Sequence, residues 1–318
     1  MNSAWTPKVS IVIPVYNGSN FVKDAIDSAL SQTYDNIEII VVNDGSNDGG
    51  KTEKIALSYG NRIRYISKPN GGVSSALNEG IKSMTGEYFS WLSHDDLYTP
   101  AKIQDSIDTL KRYGDIDQKL IVYTEGSLVN EDGSYIAPLK KYFVSGKVYS
   151  GNEASKIMTI KGALCGCCLL IPKEAFDVAG LFDENLRFAQ DMLMWNRLFL
   201  SGYSICSTGK KAVMSRVHKN QVTNKRRDLF VHDSLYVARI LAPQFAQLPD
   251  KQTYYFYARR LTQYECDEAL DFVLDYAKKE SILSCKMLRK LRLYKIVGRT
   301  VYFAKQCARH ILMEVGRR

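Results

Sequence analysis

The 318-residue chain has no run of about eighteen uninterrupted apolar positions, which argues against a membrane-spanning helix. Its first eight residues are mostly polar, and the first apolar run, Val9 to Val15, is broken by Pro14. No cleavable signal is therefore legible, and the expected compartment is the cytoplasm, with the inner face of the cell membrane as a further possibility raised by the tail. The cysteines are seven, an odd count without a repeated metal-ligand spacing. Three of them, in Cys165-Gly166-Cys167-Cys168, fall inside an apolar run ending at Pro172 and read as buried small hydrophobes in a strand rather than as a zinc or redox centre. Walker A is absent, because no Gly-Lys-Ser or Gly-Lys-Thr closes a glycine-rich loop, and Gly-x-Gly-x-x-Gly is absent too, which weakens a dinucleotide dehydrogenase. There is no internal repeat and no low-complexity segment. A surplus of charge is also missing from most of the chain. The formal net charge is +9, but residues 281 to 318 hold ten cations against the single acid Glu314, so residues 1 to 280 are balanced at 33 of each sign.

What is present is an alternation of short apolar runs and helical stretches from Val9 to about Val129. Strands are expected at Val9 to Pro14, Ile37 to Val42, Arg62 to Ser67, Tyr88 to Leu92 and Leu120 to Val129. Helices are expected at Phe21 to Ser31, Lys51 to Tyr59, Val73 to Met84 and Pro100 to Tyr113. Such alternation predicts an α/β fold with a Rossmann-like, mostly parallel sheet. A mixed region follows, with turn residues around Tyr135 to Ser150, an apolar run Ala163 to Ile171, a helix Gln190 to Ser201, and strand pieces Tyr203 to Cys206 and Ala212 to Val217. After about Asn224 the pattern is helical. The boundaries expected are a catalytic domain at 1–224 and a helical C-terminal region at 225–318.

Chemistry-bearing residues gather at the ends of the runs, where an open α/β sheet places its ligand. Pro14-Val15-Tyr16-Asn17 offers an aromatic ring and an amide to a flat heterocycle, or is an ordinary strand end followed by a turn. Val42-Asn43-Asp44-Gly45-Ser46 is either a turn or a carboxylate and hydroxyl placed for a base or a ribose. Asn70-Gly71-Gly72 opens a helix, where free amides and the helix dipole favour a phosphate. Ser93-His94-Asp95-Asp96 carries two adjacent carboxylates, which repel unless a cation or donors offset them; Mg²⁺ or Mn²⁺ suits such oxygens, and a helix cap is the alternative.

Taken in this order and spacing, Pro14-Val15-Tyr16-Asn17, Val42-Asn43-Asp44-Gly45-Ser46, Asn70-Gly71-Gly72 with Ala76 and Asn78-Glu79-Gly80, and Asp95-Asp96 resemble glycosyltransferase family 2 with its GT-A fold. The likeness spans about residues 7 to 220. It implies an inverting, metal-dependent transferase that uses a nucleotide sugar, usually a UDP-sugar, in cell-surface polysaccharide or glycolipid synthesis. It also implies base or donor contacts from Pro14, Tyr16, Asn17, Asp44, Ser46, Asn70, Gly72, Asp95 and Asp96. The last member of the family's Asp-x-Asp element matches Asp95, whereas its first member is Ser93 here, and an Arg common in the family is replaced by Leu77. Gly180-Leu181-Phe182-Asp183-Glu184-Asn185-Leu186 with Gln190-Asp191 and Trp195 resembles the acceptor-side motif, which makes Asp191 the general base. Arg216-Val217-His218 resembles the segment that closes such sites, with His218 as a metal ligand.

The stretch Leu288 to Lys305 alternates cations and apolar residues at near-helical spacing. It fits either a basic amphipathic helix on an anionic membrane, near a glycan or lipid-linked acceptor, or a helix packed on the protein with a solvated basic face. Two other readings stay open from the residues alone: a nucleotidyltransferase, although Pro14 to Ser19 has no Lys or Arg, and a nucleic-acid-binding module acting through the tail, which the neutral 1–280 part disfavours.

Overall fold

The structure, a computed structural model, describes residues 5–113, 119–219, 227–263 and 266–295. These fall into two compact units, divided at Ala154/Ser155, Gly162/Ala163 and Lys225/Arg226. The first unit is built on a sheet of β1 (Val9–Val15), β2 (Ile37–Asp44), β3 (Arg64–Lys68), β4 (Tyr88–Trp91), β5 (Leu97–Tyr98), β6 (Leu120–Val129), β7 (Tyr135–Pro138), β8 (Val148–Tyr149), β9 (Leu169–Pro172) and β10 (Ser204–Arg216). Their order is β3-β2-β1-β4-β9-β6-β10-β5, with β7 on β6 and β8 on β10. The β1, β2, β3 and β4 pairings and the β6–β10 pairing are parallel, while β9 runs antiparallel between β4 and β6. The fold is thus α/β with a mostly parallel sheet.

Every residue of β1 is buried, as expected of a strand covered on both faces, and this is why it reads as a nearly unbroken apolar run. Its register pairs Val15 with Asn43 and Val12 with Trp91, so β1, β2 and β4 all release their chain at one edge. β5 then turns back antiparallel to β10, pairing Leu97 with Met214. That return brings the 92–96 loop to the end of β10.

Helices α1 (Val22–Leu30), α2 (Lys51–Leu57), α3 (Val73–Ser83) and α4 (Lys102–Tyr113) supply the crossovers. The first residue of α4, Lys102, is fully buried. Its Nζ donates to Ser90 Oγ of β4 and to the Leu169 carbonyl of β9, over the Tyr98 ring at 4.4 Å. Burial disfavours the charged form and pushes this amine down to about 7. Helices α5 (Gly151–Lys161), α6 (Ala175–Ala179) and α7 (Gln190–Leu200) follow.

Three expectations are corrected. The pieces at 203–206 and 212–217 form one strand, β10, interrupted only by register shifts between Ser207 and Val213. Helix α5 occupies a segment for which no helix is expected from the sequence. Cys165, Cys167 and Cys168 are not inside a strand: Gly166–Cys168 is a single 3₁₀ turn that precedes β9.

The second unit is helical, with α8 (Arg227–Gln247), α9 (Lys251–Leu261), α10 (Asp267–Lys279) and a further helical segment over 285–295. Asp250 caps α9 by accepting from the Gln252 amide. Lys295 pairs with Asp271 at 3.0 Å, and Leu291 is fully buried, so the described start of the basic stretch packs on its own unit. The remainder of that stretch, residues 296–305, lies outside the described residues. Among the described residues, no helix is long and apolar enough to cross a membrane.

One side chain ties the sheet to the segment that leads into α7. Asn78 of α3 is 3% exposed; its Nδ2 donates to the Phe182 carbonyl (2.9 Å) and to Glu184 Oε1 (2.8 Å), and its Oδ1 accepts from the Phe182 amide (2.9 Å). Replacing it by alanine strands a buried amide and a buried carbonyl, each of which costs about 1–3 kcal/mol. Asn78→Ala is expected to lower unfolding free energy by about 3 kcal/mol in urea melts; a change within about 0.5 kcal/mol of zero contradicts this role.

Candidate active site

The site is assembled from two clusters at the strand ends. In the first, the exit of β1 and the loop after β2 are joined through side-chain amides. Asn17, held at φ 49°, donates from Nδ2 to Asn47 Oδ1 (2.7 Å) and accepts from the Asn47 amide (2.8 Å), while its own amide donates to Ser46 Oγ (2.9 Å). Tyr16 and Asn17 remain exposed, and Pro14 is buried at the end of β1. Tyr16, Asn17 and Ser46 are therefore brought together as an open ledge.

Asp44 is placed differently. Only 3% exposed, it accepts from Lys68 Nζ (2.7 Å) and the Gly71 amide (3.0 Å) on one oxygen and from the Gly72 amide (2.7 Å) on the other. Asn70 Nδ2 donates to the Asp44 carbonyl at 2.8 Å. The glycine amides that the sequence offers to a phosphate are thus engaged by Asp44, which acts as a remote cap for α3. Helix α3 has no side-chain cap of its own, so the carboxylate lies where the helix dipole favours negative charge. Asp44, Asn70 and Gly72 brace the ledge from below. Lys68, the last residue of β3 and the register partner of Asp44 across the β2–β3 pair, is a partner that the sequence reading missed; a cation two residues before Asn70-Gly71-Gly72 was the available signal.

The second cluster lies where the 92–96 loop meets the end of β10. Asp95 Oδ2 and His218 Nε2 are 2.9 Å apart, with 16% and 9% of the side chains exposed. The His218 ring rests on Phe21 at 5.1 Å between centroids. Arg216 sits beneath them: its guanidinium pairs with Asp24 of α1 at 2.6 Å, lies 4.8 Å from the Phe21 ring centre, and donates to the Asp95 carbonyl at 3.4 Å. Asp96 faces inward. It is 5% exposed, accepts from the Arg216 amide at 3.0 Å on Oδ1, and receives the Cys167 thiol at 3.3 Å on Oδ2. Burial pushes its carboxyl well above the usual range, with the Cys167 thiol and Asp95 adding to the effect. Of the two adjacent acids, Asp95 meets the cleft while Asp96 anchors the loop. Arg216 was legible in the sequence only as part of a motif, because its partner Asp24 is 192 residues away.

Asp191 opens α7, partly buried, with Oδ1 accepting from the Met192 amide at 2.6 Å. Burial pushes its carboxyl up to about 6, against the opposing pull of nearby amides. Behind it, Trp195 is fully buried, donates from Nε1 to the Leu164 carbonyl (3.2 Å), and meets Phe182 edge to face at 5.7 Å. The neighbouring Gln190 Oε1 and the Trp91 Nε1 are buried without a hydrogen-bond partner among the described residues. Leu77 is wholly buried and takes no part in the cleft.

The sequence profile described as glycosyl transferase family 2 matches residues 10–179. An uncharacterized glycosyltransferase of Rickettsia typhi is 48% identical over 225 residues, covering 70% of this chain and 68% of that protein. One from Rickettsia felis is 42% identical over 264 residues, covering 81% of this chain but 42% of its relative, so the chain spans less than half of that longer protein. The chondroitin synthase of Pasteurella multocida is 42% identical over 134 residues, 41% of this chain and 13% of that enzyme. Among solved structures, S. aureus TarS 1-349 in complex with UDP-GlcNAc superposes with a TM-score of 0.68 at 17% identity, covering 95% of this chain and 92% of that one, which shows a shared fold.

The Asp44 brace makes a direct prediction. Removing a buried charged acceptor leaves the Gly71 and Gly72 amides unpaired and Lys68 with only the Pro69 carbonyl, so Asp44→Ala is expected to destabilise the chain by about 3–5 kcal/mol. Guanidinium melts check this, and an unchanged midpoint would show that the brace is incidental.

Proposed function

The chain belongs to glycosyl transferase family 2, and we propose that it transfers a sugar, with inversion, from a UDP-sugar to a hydroxyl of a growing cell-surface polysaccharide or a lipid-linked glycan. Family membership makes it a glycosyltransferase rather than a nucleotidyltransferase. The observation that carries the proposal is the Asp95–His218 pair, a carboxylate and an imidazole 2.9 Å apart at the mouth of two strand ends. UDP is chosen because TarS, which shares the fold, binds UDP-GlcNAc, and a polysaccharide acceptor because chondroitin synthase is a relative.

A divalent ion fits this donor set. Oxygen and imidazole ligands from two elements, already in mutual contact and half-shielded from water, suit Mn²⁺ or Mg²⁺. When bound by Asp95 and His218, such an ion would offset the charge that builds on the departing diphosphate. The protein's residues do the rest. Tyr16 and Asn17, fixed by Asn47 and Ser46, hold the base by stacking and hydrogen bonding. Arg216 keeps the loop of Asp95 in place through its backbone amide and its guanidinium. Asp191 removes the proton from the acceptor hydroxyl as that oxygen attacks the anomeric carbon from the face opposite the diphosphate. A carboxylate held near 6 is well matched to that work: mostly ionised at neutral pH, yet more basic than an exposed aspartate. The basic surplus of residues 281–318 suits an anionic lipid surface near such an acceptor.

A panel of nucleotide sugars with Mn²⁺, read as released nucleoside diphosphate by mass spectrometry, tests the class and the donor together. Release of UDP from one sugar donor is expected, and silence across the panel with every metal contradicts the reading.

Two further outcomes concern Asp191. Because the base must be ionised, kcat is expected to fall tenfold per pH unit below about 6 and to level off above it. Asp191→Asn should lose at least about 100-fold in transfer while retaining donor binding, as measured by calorimetry with UDP-sugar. Transfer at the normal rate by this variant would remove Asp191 from the mechanism.

A further inference from the structure

Behind the catalytic loop, the side chains of Asp96, Cys165 and Cys167 converge so that one ligand atom from each lies within 4.8 Å of the other two. We propose that this cluster is a second, thiophilic metal site, built for Zn²⁺ through two thiolates and one carboxylate and separate from the Asp95–His218 pair. The inference does not rest on the glycosyltransferase reading.

Three observations make the cluster a prepared site rather than a chance meeting of cysteines. First, hydrogen bonds from outside the cluster fix the direction of its ligand atoms. Asp96 has Oδ1 fixed by the Arg216 amide at 3.0 Å, which turns Oδ2 toward the sulfur, and Cys167 Sγ accepts from the Ser93 amide at 3.3 Å. Bonds of this kind orient metal ligands. Second, the cysteines are fixed by a turn with no slack. Cys165 is extended ahead of the 3₁₀ turn Gly166–Cys168, and a Cβ added at Gly166 would lie 2.2 Å from the Trp91 ring, so only glycine fits between the two sulfurs. Third, one of the three ligand residues is incompletely covered. Cys167 is 2% exposed, but Cys165 is only partly buried.

Around a tetrahedral zinc, sulfur and oxygen ligands stand roughly 3.6–3.8 Å apart. Cys167 Sγ and Asp96 Oδ2 are already 3.3 Å apart, so small side-chain rotations complete the geometry and leave a fourth position open. On binding, the protons held by the two thiols and by Asp96 leave to solvent and the ion takes their place. Soft sulfur ligands select zinc over the Mn²⁺ or Mg²⁺ that the oxygen-rich pair prefers. Since Ser93 and Asp96 flank Asp95, an ion here would clamp the base of the catalytic loop.

The probe is Co²⁺, added to the full chain kept reduced with a phosphine, with free thiols counted beforehand. Wild type is expected to show a sulfur-to-cobalt charge-transfer band that saturates at one equivalent and is bleached by one equivalent of Zn²⁺. Cys165→Ser, at the least buried ligand and so the safest for folding, should weaken Zn²⁺ binding by more than about 100-fold in competition with a chromophoric chelator. Cys206→Ser should leave binding unchanged. Asp95→Ala should keep the band, which separates this site from the catalytic metal and makes the test independent of any sugar transfer. The proposal is overturned if reduced wild type gives no charge-transfer band, if the band survives in the folded Cys165→Ser variant, or if Asp95→Ala abolishes it.

Discussion

The site depends on a single buried hydrogen bond, from the Arg216 amide at the end of β10 to Asp96 Oδ1 in the loop after β4. Two carboxylates in sequence cannot both face one cleft cheaply, since like charges a few ångströms apart oppose each other's ionisation. The fold separates them by turning Asp96 inward, where an amide and a thiol receive it. Asp95 is left toward solvent, beside His218. Because the amide belongs to the residue two before His218, the bond that buries Asp96 also sets the distance between Asp95 and the imidazole. Arg216 reinforces this with its guanidinium, which reaches Asp24 of α1 and the Asp95 carbonyl.

The nucleotide side follows the same logic. Asp44, Lys68 and the amides of Gly71 and Gly72 form a closed arrangement in which charge, donors and helix dipole compensate one another. It ties the end of β2 to the start of α3, two residues before Ser46 of the ledge. On the acceptor side, Asn78 locks the 180–186 segment to α3, and the aromatic stack of Phe182 and Trp195 supports the start of α7. Burial there raises the affinity of Asp191 for a proton, the property a general base needs.

Much of the core was legible because strands covered on both faces leave continuous apolar runs that stop at turn residues. The ends of β1, β2 and β4 fall within two residues of where those runs predict them. The meeting of Asp95 and His218 was legible from residue type and motif position. The burial of Asp96 and the bracing role of Asp44 were not, because each depends on amides 27 to 120 residues distant that only the tertiary pairing delivers. Helix α5 escaped because its buried face mixes Ala154 and Met158 with the polar Ser155 and Thr159 while Ile160 is exposed, so no apolar stripe shows in the sequence. The turn before β9 escaped because Cys-Gly-Cys-Cys has no period that distinguishes a turn from a strand, and its meeting with Asp96 across 71 residues leaves no local trace.

The central claim is that Asp95 and His218 together hold the ion that the donor's diphosphate needs. It is tested most directly by following free Mn²⁺ by electron paramagnetic resonance as UDP and protein are added. The account predicts that wild type removes one equivalent of Mn²⁺ from the free signal in the presence of UDP, and that His218→Ala requires at least about tenfold more protein to do so. Equal depletion by wild type and by folded His218→Ala would contradict it.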